Sequence, residues 1–238
     1  MIKVITSKTN EKIKYAVSLK ENKNRKKYQQ FLGESKKSLE LAVQAGVVKE
    51  VFTYDALDLP EDIVQYLVDE NVMKKLSSAV HPEGVVFIAD IPTFKKDKLN
   101  KILYLDGIND PGNLGTLVRT ALAFDYDAVI CSHDCVSIYN EKALASCKGS
   151  NYLIPVFVDE LFPYKDSHQI IVSSLKEDSR DAKDIKKEER FVLVLGNEAH
   201  GVSKNSELLA DISVKIDISN IDSLNVSIAG GILMFLIH

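Results

Sequence analysis

"KILYLDGINDPGNLGTLVRTALAF", residues 101–124, places a short apolar strand pattern, a glycine-rich turn and an apolar helix pattern directly one after another. Short apolar and β-branched runs return five times after it, as "DAVICS", "YLIPVFV", "QIIVSSL", "RFVLVLG" and "ISVKIDI". Several of these runs are apolar throughout, which is typical of strands buried on both faces of a parallel sheet. Helical patterns at residues 113–124, 140–148 and 223–237 alternate with them. The second half of the chain is therefore predicted to form an open, mostly parallel α/β sheet.

The first part of the chain predicts a smaller, alternating α/β domain. Amphipathic helices are expected at residues 7–20 and at "SKKSLELAVQAG", and strands at "VKEVFTYD" and "GVVFIAD". A further helix is expected after Pro60, and a further strand near "VMKKLS", residues 72–77. Residues 91–100 are polar and contain a proline, so we place a linker there. The predicted domains are residues 1–92 and 98–238.

The composition is that of a globular protein with a sizeable core. The chain has 238 residues, of which 45% are hydrophobic and 27% are charged. The longest apolar run, "VSIAGGILMFLIH", is shorter than the roughly 20 residues of a membrane-spanning helix, and no signal segment opens the sequence. Three cysteines in one region do not suggest a disulfide framework. We therefore expect a cytoplasmic protein with no membrane partner.

The basic residues are concentrated near the N-terminus. Residues 1–37 carry eleven lysines and arginines against three acidic residues, a net charge of +8, whereas the whole chain has a net charge of −4. A basic segment on an acidic body suggests that one part of the protein binds a polyanion such as RNA, although a lysine-rich surface is often only solvated. The first candidates for contacts with RNA phosphates are Lys23, Arg25, Lys26 and Lys27.

Three of the predicted strands run directly into loops rich in glycine, asparagine, serine or acidic residues. These are "YLDGINDPGN" at residues 104–113, "VLGNEAHGVS" at 194–203 and "IDISNIDSLNVS" at 216–227. Ligands of open α/β sheets bind at the carboxyl ends of the strands, so the three loops are expected to converge on one site. The chain has neither a P-loop nor a G-x-G-x-x-G fingerprint, which argues against a nucleotide hydrolase and against a dinucleotide-dependent enzyme.

The three loops together resemble the motifs of a known enzyme family. "NDPGNLGTLVRTALAF", "LVLGNEAHGVS" and "IDSLNVSIAGGI" are similar to motifs one, two and three of the SpoU/TrmH family of RNA 2′-O-ribose methyltransferases, within the SPOUT superfamily. The resemblance covers residues 100–238, including "YNEKALASCKGSNYLIPV" between the motifs. Residues 1–90 resemble more loosely the small α/β RNA-binding domain, of ribosomal-protein type, found in the rRNA-modifying branch. Ser35 stands where that branch usually has a glycine.

The resemblance implies an enzyme that transfers a methyl group from S-adenosylmethionine to a ribose 2′-hydroxyl of RNA. It also implies a SPOUT α/β-knot domain, in which a C-terminal trefoil knot forms the cofactor pocket, and a homodimer that completes the active site. The additional N-terminal domain favours ribosomal RNA, and 23S rRNA in particular, over tRNA. The alternatives are a tRNA 2′-O-methyltransferase and a non-catalytic RNA-binding or ribosome-assembly protein with the same fold.

Arg119 is one of only four arginines in the chain. On a helix it lies at the edge of an apolar stripe, and its neighbours one turn away, Gly115 and Ala123, leave room for another molecule to approach. From the residues alone, a surface arginine in a structural salt bridge is the simpler explanation. The resemblance implies instead that Arg119 activates the 2′-hydroxyl, either as a base or by stabilising the developing alkoxide and gripping a phosphate. The stripe consists of Leu114, Leu117, Val118, Ala121 and Leu122.

Four further active-site residues are implied by the resemblance: Asn113, Glu198, Ser223 and Asn225. The carboxylate of Glu198 is expected to hold the guanidinium of Arg119 in place. Considered without the family, the two asparagines and Ser223 could also be helix caps, and Glu198 could be an acid in a surface turn.

The cofactor is expected to be held mainly by backbone and apolar contacts. By resemblance, these come from Leu195, Gly196, Ile216, Ile218 and Leu224. Motif three is one residue short and has Asp217 where proline is common in the family. This leaves the register of the cofactor contact open between Ile216 and Ile218.

No metal site is predicted. "CSHDC" places Cys131, His133 and Cys135 at alternating positions of an extended segment, which differs from the C-x-x-C spacing of zinc sites. These cysteines, together with Cys147, are expected to be small buried apolar residues. His200 receives no role, because a lone loop histidine is usually a surface residue.

Overall fold

The structure, a computed structural model, describes residues 1–176 and 178–237. The described residues form two compact units. The first unit consists of Met1–Thr93 and Tyr139–Tyr152, and the second consists of Phe94–Ile138 and residues 153–237. The chain thus leaves the second unit once and returns to it.

The limits of the two units differ in one respect from the predicted domains. The chain passes from the first unit to the second between Thr93 and Phe94, inside a segment without regular secondary structure. Residues 139–152, which the sequence placed in the second domain, belong to the first unit. They pack there because their aromatic side chains join its core: the ring of Phe31 lies 4.7 Å from that of Tyr139 and 6.2 Å from that of Tyr152, centroid to centroid.

Strands and helices alternate along most of the chain. The strands are β1 (Ile2–Ile5), β2 (Gln30–Glu34), β3 (Val48–Thr53), β4 (Val64–Val68), β5 (Val85–Asp90), β6 (Lys101–Asp106), β7 (Ala128–Cys131), β8 (Val156–Val158), β9 (Gln169–Ser173), β10 (Arg180–Asp181), β11 (Phe191–Gly196) and β12 (Ile212–Lys215). The helices are α1 (Glu11–Ser18), α2 (Asn22–Tyr28), α3 (Lys36–Gln44), α4 (Glu70–Leu76), α5 (Pro111–Ala123), α6 (Glu141–Cys147), α7 (Lys204–Leu209) and α8 (Val226–Ile237). Within residues 1–176 and 178–237, no helix is both long enough and apolar enough to cross a bilayer.

The first unit contains a mixed sheet in the order β1-β4-β3-β5-β2, in which β5 runs antiparallel to β3 and β2. The predicted helices α1 and α3 and the predicted strands β3 and β5 are confirmed. The predicted helix after Pro60 is wrong, because β4 follows there and pairs with both β1 and β3. The predicted strand at residues 72–77 is also wrong. That segment lies in α4, where Asp69 accepts a hydrogen bond from the Val72 amide at 2.8 Å and so caps the helix.

The second unit contains a sheet of seven parallel strands in the order β10-β12-β9-β11-β6-β7-β8. β6, β7 and β11 are almost completely buried, as their apolar runs predicted. Leu195 and Gly196 at the end of β11 lie beside Leu105 and Asp106 at the end of β6. The predicted, mostly parallel α/β fold is confirmed, and the loops that follow β6 and β11 leave the sheet side by side.

Helices α5 and α8 pack against each other at very short range. A Cβ atom on Gly230 of α8 would come within 2.5 Å of the Leu117 side chain of α5 and within 2.6 Å of the Leu195 side chain of β11. Farther along the helices, the rings of Phe124 and Phe235 are 6.0 Å apart. The helix of motif one is therefore fixed against the helix of motif three.

Candidate active site

Hydrogen bonds tie together the loops that follow β6 and β11. We define the first, second and third loops as residues 107–110, 197–203 and 216–225. Asn197 Nδ2 donates to the carbonyl of Gly107 at 2.7 Å, and the amide of Ser203 donates to the carboxylate of Asp106 at 2.7 Å. These two bonds hold the second loop against the start of the first, as the position of both loops at one edge of the sheet predicted.

One side chain from each of the three motifs joins a continuous hydrogen-bond chain. Asn225 Nδ2 donates to Asn113 Oδ1 at 3.1 Å, and Asn113 Nδ2 donates to Glu198 Oε1 at 2.9 Å. Asn113 does not cap α5, because that position belongs to Asp110, whose carboxylate accepts from the Asn113 amide at 2.8 Å. The structure therefore brings together three of the five predicted catalytic residues.

The hydrogen-bond chain has a fixed direction. Asn225 Oδ1 accepts from the amides of Ser227 at 2.9 Å and Ile228 at 3.3 Å, and so caps α8. Because its oxygen is used by these donors, the amide nitrogen of Asn225 must face Asn113, and the nitrogen of Asn113 must in turn face Glu198. Glu198 is the terminal acceptor of the chain.

A cavity of about 560 Å³ opens at the carboxyl ends of β9, β11 and β12. This volume falls within the roughly 300–1,000 Å³ that is usual for small-molecule sites. Glu198 and Ser223 line the cavity, and Ile216 and Ile218 both do so, which means that either register of motif three reaches it. All the predicted cofactor-binding residues are part of its wall: Leu195, Gly196, Ile216, Ile218 and Leu224.

The cavity wall combines apolar and charged parts. Leu195, Ile216 and Leu224 supply apolar surface, whereas Lys176 and Glu207 form an ion pair of 2.9 Å at another part of the wall. A ligand with a flat apolar group and a charged end matches this division.

Gly196 has no room for a side chain. A Cβ atom there would lie 2.2 Å from the carbonyl carbon of Gly201 and 2.2 Å from the amide nitrogen of Val202. The second loop folds back over Gly196 because Asn197 and Gly201 exchange two backbone hydrogen bonds, of 2.8 and 2.9 Å. At this point of the cavity wall, main chain packs directly on main chain.

Comparison with known proteins supplies the family. Residues 100–235 match the SpoU rRNA Methylase family, and residues 10–86 match the MRM3-like substrate binding domain. The chain belongs to the SpoU rRNA methylase family. The resemblance predicted from the three motifs is confirmed, and all three motifs lie within the matched residues 100–235.

Two of the following relatives of this SpoU methylase cover nearly its whole length, and a third covers part of it. The 23S rRNA (guanosine(2553)-2′-O)-methyltransferase RlmP of Bacillus subtilis is 30% identical over 98% of both chains. The crystal structure of an AdoMet-bound rRNA methyltransferase from Sinorhizobium meliloti superimposes with a TM-score of 0.89, at 25% identity, over 99% of this chain and 97% of that one. The A. aeolicus TrmH/SpoU tRNA modifying enzyme superimposes over 60% of this chain and 75% of its own, with a TM-score of 0.52 and 26% identity.

Arg119 of this SpoU methylase does not take part in the hydrogen-bond chain. Its side chain is exposed and forms neither a hydrogen bond nor an ion pair with any residue of the described ranges. The expected contact between Arg119 and Glu198 is therefore not formed, and Glu198 accepts a hydrogen bond from Asn113. The apolar stripe next to Arg119 is buried as predicted, apart from the half-buried Leu122.

Arg25 is a correction to the predicted RNA-binding set. The residue is only 5% exposed, and its Nη1 donates to the carbonyls of Leu19 at 3.1 Å and Lys20 at 2.6 Å. The end of α1 leaves carbonyls without intrahelical partners, and Arg25 satisfies them. Burial lowers the pKa of its guanidinium. The other three predicted residues are exposed: Lys23, Lys26 and Lys27.

Two of the three cysteines are buried, and the third is partly buried. Among the described residues, no three histidine, cysteine or acidic side chains come together as metal ligands. Cys131 and Cys147 are buried as predicted, but Cys135 is only partly buried and accepts a hydrogen bond from the Ile108 amide at 3.2 Å. A hydrogen bond from Cys131 lowers the pKa of Cys135 to about 7. His133 is exposed and lies 3.7 Å from a carboxylate oxygen of Glu160.

Several residues of the site were not predicted from the sequence. Asn197 lies inside "GNE" of motif two and could have been found there, since an asparagine after a glycine often fixes a turn through its side chain. Ser173 and Ser174 line the cavity at the end of β9, so the rule that ligands bind at strand ends would have identified them. His200, which received no role, also lines the cavity.

Proposed function

We propose that this SpoU methylase transfers a methyl group from S-adenosylmethionine to a ribose 2′-hydroxyl of 23S rRNA. The enzyme class and the methyl donor were predicted from the three motifs, and the family assignment confirms both. The observation that carries the proposal is the chain from Asn225 through Asn113 to Glu198, which ends at the wall of a small-molecule cavity. A protein that only bound RNA would need neither these linked hydrogen bonds nor the cavity.

The cavity residues fit S-adenosylmethionine. Leu195, Ile216 and Leu224 offer apolar surface for the adenine ring, and the polar part of the wall near Ser173 and Lys176 suits the charged amino-acid end. When bound, the donor supplies an electrophilic methyl group. The chain's own residues must then orient the RNA, keep the ribose oxygen close to the donor and remove the hydroxyl proton.

Arg119 is proposed to act on the RNA rather than on the protein. Its guanidinium is exposed and has no partner in the part of the chain described, so it is available for the phosphate beside the target ribose. A bidentate guanidinium–phosphate contact would position the ribose and stabilise the negative charge that develops on its oxygen. Asn113 and Asn225 would keep Glu198 in position, and Ser223 would contact the ligands from the cavity wall.

Two observations favour ribosomal RNA over tRNA as the substrate. RlmP, which is named as a 23S rRNA methyltransferase, aligns with the whole chain, whereas the tRNA modifying enzyme of A. aeolicus aligns with 60% of it. The first unit matches a substrate binding domain and carries the exposed Lys23, Lys26 and Lys27. We propose that this unit binds the RNA and that the second unit carries out the methyl transfer.

The family resemblance supports three further proposals: a trefoil knot formed by the C-terminal part of the second unit, a homodimer, and a place in the cytoplasm. For the dimer, the structure offers an apolar surface. Ile228 and Phe235 on α8 are 56% and 60% exposed, and α8 packs on the helix that carries Arg119. A second copy that covered this surface would bring the two copies of Arg119 close to the interface.

Methylation in vitro tests the proposed function. Purified protein would be incubated with methyl-labelled S-adenosylmethionine and either 23S rRNA or bulk tRNA, and the modified nucleotide would be mapped by its resistance to alkaline hydrolysis. We expect label in 23S rRNA at a 2′-oxygen. Label in tRNA alone would support the tRNA alternative.

A titration with S-adenosylmethionine separates the enzyme from a non-catalytic RNA-binding protein. We expect a dissociation constant in the low-to-mid micromolar range, on the order of −7 kcal/mol. An absence of binding would favour the non-catalytic alternative. Arg119→Lys is expected to lose most of the activity, since a lysine cannot make the forked contact with a phosphate.

A further inference from the structure

We propose that the carboxylate of Glu198 accepts the proton of the ribose 2′-hydroxyl. This inference rests on the proposed methyltransferase function and assigns one step of it. It gives Glu198 a different task from the one expected from the sequence, where the carboxylate was to hold Arg119. The structure shows no such contact and directs Glu198 toward the cavity.

The hydrogen-bond chain from Asn225 through Asn113 is directed at Glu198. The amides at the start of α8 fix Asn225, Asn225 fixes Asn113, and Asn113 donates to Glu198 Oε1. This bond occupies Oε1 as an acceptor. The second oxygen, Oε2, has no hydrogen-bond partner among the described residues and is free to accept a proton from a ligand.

Glu198 lies at the wall of the cavity. Its side chain is exposed and lines the same cavity as all the predicted cofactor-binding residues. A group beside this cavity is within reach of a hydroxyl that must approach the donor. Asn197 strengthens the placement, because its Oδ1 accepts from the amides of Ala199 and His200 and so holds the turn that carries Glu198.

The neighbouring groups are weaker candidates. Arg119 has no acceptor atom as a guanidinium and forms no hydrogen bond or ion pair with any described residue. His200 lines the cavity, but its ring forms no hydrogen bond within the described residues, so nothing fixes its orientation. The other charged groups of the wall are Lys176, which pairs with Glu207, and Lys215 and Asp222.

The proposed step moves one proton and one methyl group. The oxygen–hydrogen bond of the 2′-hydroxyl breaks and the proton passes to Glu198 Oε2. The ribose oxygen forms a bond to the methyl carbon, while the carbon–sulfur bond of the donor breaks and leaves its electron pair on sulfur. Glu198 then releases the proton to solvent. The products are the 2′-O-methylated RNA, S-adenosylhomocysteine and a proton.

Glu198→Gln tests this role, because the amide oxygen of glutamine still accepts from Asn113 but cannot take up a proton. Binding titrations should give affinities for S-adenosylmethionine and for 23S rRNA within threefold of the wild type. The single-turnover methylation rate should fall by at least about 100-fold, the usual contribution of a general base. A variant that binds both ligands and methylates at the wild-type rate overturns the proposal.

Chemical rescue adds a second readout. Glu198→Ala leaves a space, and sodium formate should raise its single-turnover rate at least tenfold while leaving Asn113→Ala unchanged. If His200→Ala loses turnover and imidazole restores it, His200 is the acceptor and the proposal fails. The wild type separates this test from the proposed function: an inactive wild type refutes the function itself, whereas an active Glu198→Gln beside an active wild type refutes only the role of Glu198.

Discussion

Ser35 has a backbone conformation that glycine usually adopts. Its backbone has φ of 88° and ψ of 149°, a combination that glycine alone adopts readily. The resemblance led us to expect glycine at this position, and the serine adopts a backbone that favours glycine. The serine has a local benefit, because its hydroxyl caps α3 by accepting from the Ser38 amide at 3.2 Å.

Ser35→Gly is predicted to stabilise the first unit by about 1 kcal/mol. Relief of the backbone strain is worth about 1–3 kcal/mol, and the lost cap and the more flexible unfolded chain offset part of it. Urea unfolding, with hydrogen exchange of residues 30–44 as the local readout, measures the difference. Ser35→Ala is the matched control: it keeps the Cβ atom and loses the cap, so it should destabilise by about 1 kcal/mol. Equal stabilities for the two variants would contradict the prediction.

Cys135 is predicted to be the most reactive thiol of the chain near neutral pH. Its pKa is lowered to about 7, first because Cys131 donates a hydrogen bond to its sulfur, while burial raises the pKa of Cys147. Because the thiolate is the reactive form, labelling by iodoacetamide should increase as the pH rises through about 7 and fall below it. Peptide mass spectrometry measures the rates, and Cys131→Ala should move the midpoint upward. Labelling of Cys147 at the same rate as Cys135 would refute the assignment.

Residues that come together in the candidate site could be identified from the sequence only where a motif contained them. Asn113 and Glu198 are 85 positions apart, and Asn113 and Asn225 are 112 apart, so their contacts depend on the order of the strands. The motifs predicted that the three would share a site but not that Arg119 would stand apart. Arg25 could not be recognised as buried, because its partners are main-chain carbonyls, which leave no pattern in the sequence.

The helix pair of α5 and α8 depends on one glycine and not on its neighbour. A methyl group on Gly230 would overlap Leu117 and Leu195, both buried, whereas one on Gly231 would lie 3.9 Å from Thr120, at an ordinary contact distance. The two glycines are adjacent in sequence and look equivalent there. Only the packing of α8 against α5 and β11 distinguishes them.

Gly230→Ala is predicted to lower the free energy of unfolding by about 1–3 kcal/mol, the usual cost of overpacking a core. It should also weaken the binding of S-adenosylmethionine, since Leu195 lines the cavity. Gly231→Ala is the matched control and should be neutral, or stabilising by up to about 1 kcal/mol, because alanine favours the helix. Thermal unfolding and a binding titration measure both effects. A Gly231→Ala variant as unstable as Gly230→Ala would show that the packing is not the cause.

Strands were easier to predict in the second unit than in the first. A continuous apolar run such as that of β11 fits few places other than the centre of a parallel sheet, so its pattern was sufficient. In the first unit, "VQYLV" and "VMKKL" are short runs compatible with either a strand or a helix. Pairing with β1 and β3 makes the first a strand, and the Asp69 cap makes the second a helix. The strand thus depends on partners that are distant in sequence, and the helix depends on a single capping residue.

The charge of the whole molecule is distributed unevenly along the chain. The N-terminal segment has a net charge of +8 within a chain of net charge −4, and its exposed lysines lie in the unit that matches a substrate binding domain. Lys26 and Lys27 are on α2 without ion pairs to any described residue, and Lys23 has only an exposed partner, Glu21, at 2.9 Å. Exposed pairs of this kind contribute little and can be exchanged for a phosphate.

Replacement of Lys23, Lys26 and Lys27 by glutamine is predicted to weaken binding to 23S rRNA and to make it less sensitive to salt. Each lost phosphate contact removes about 0.7–0.9 from the slope of log K against log salt concentration, so the triple variant should lose about 2.1–2.7. Fluorescence anisotropy at several salt concentrations measures the slope. Lys49, Lys74 and Lys165, which pair with Asp90, Glu70 and Asp211, form the charge-matched control. If both triple variants reduce the slope equally, net charge rather than a basic patch on α2 attracts the RNA.

Arg25→Gln should lower stability and leave the slope unchanged, because a buried guanidinium that caps α1 has no phosphate to release.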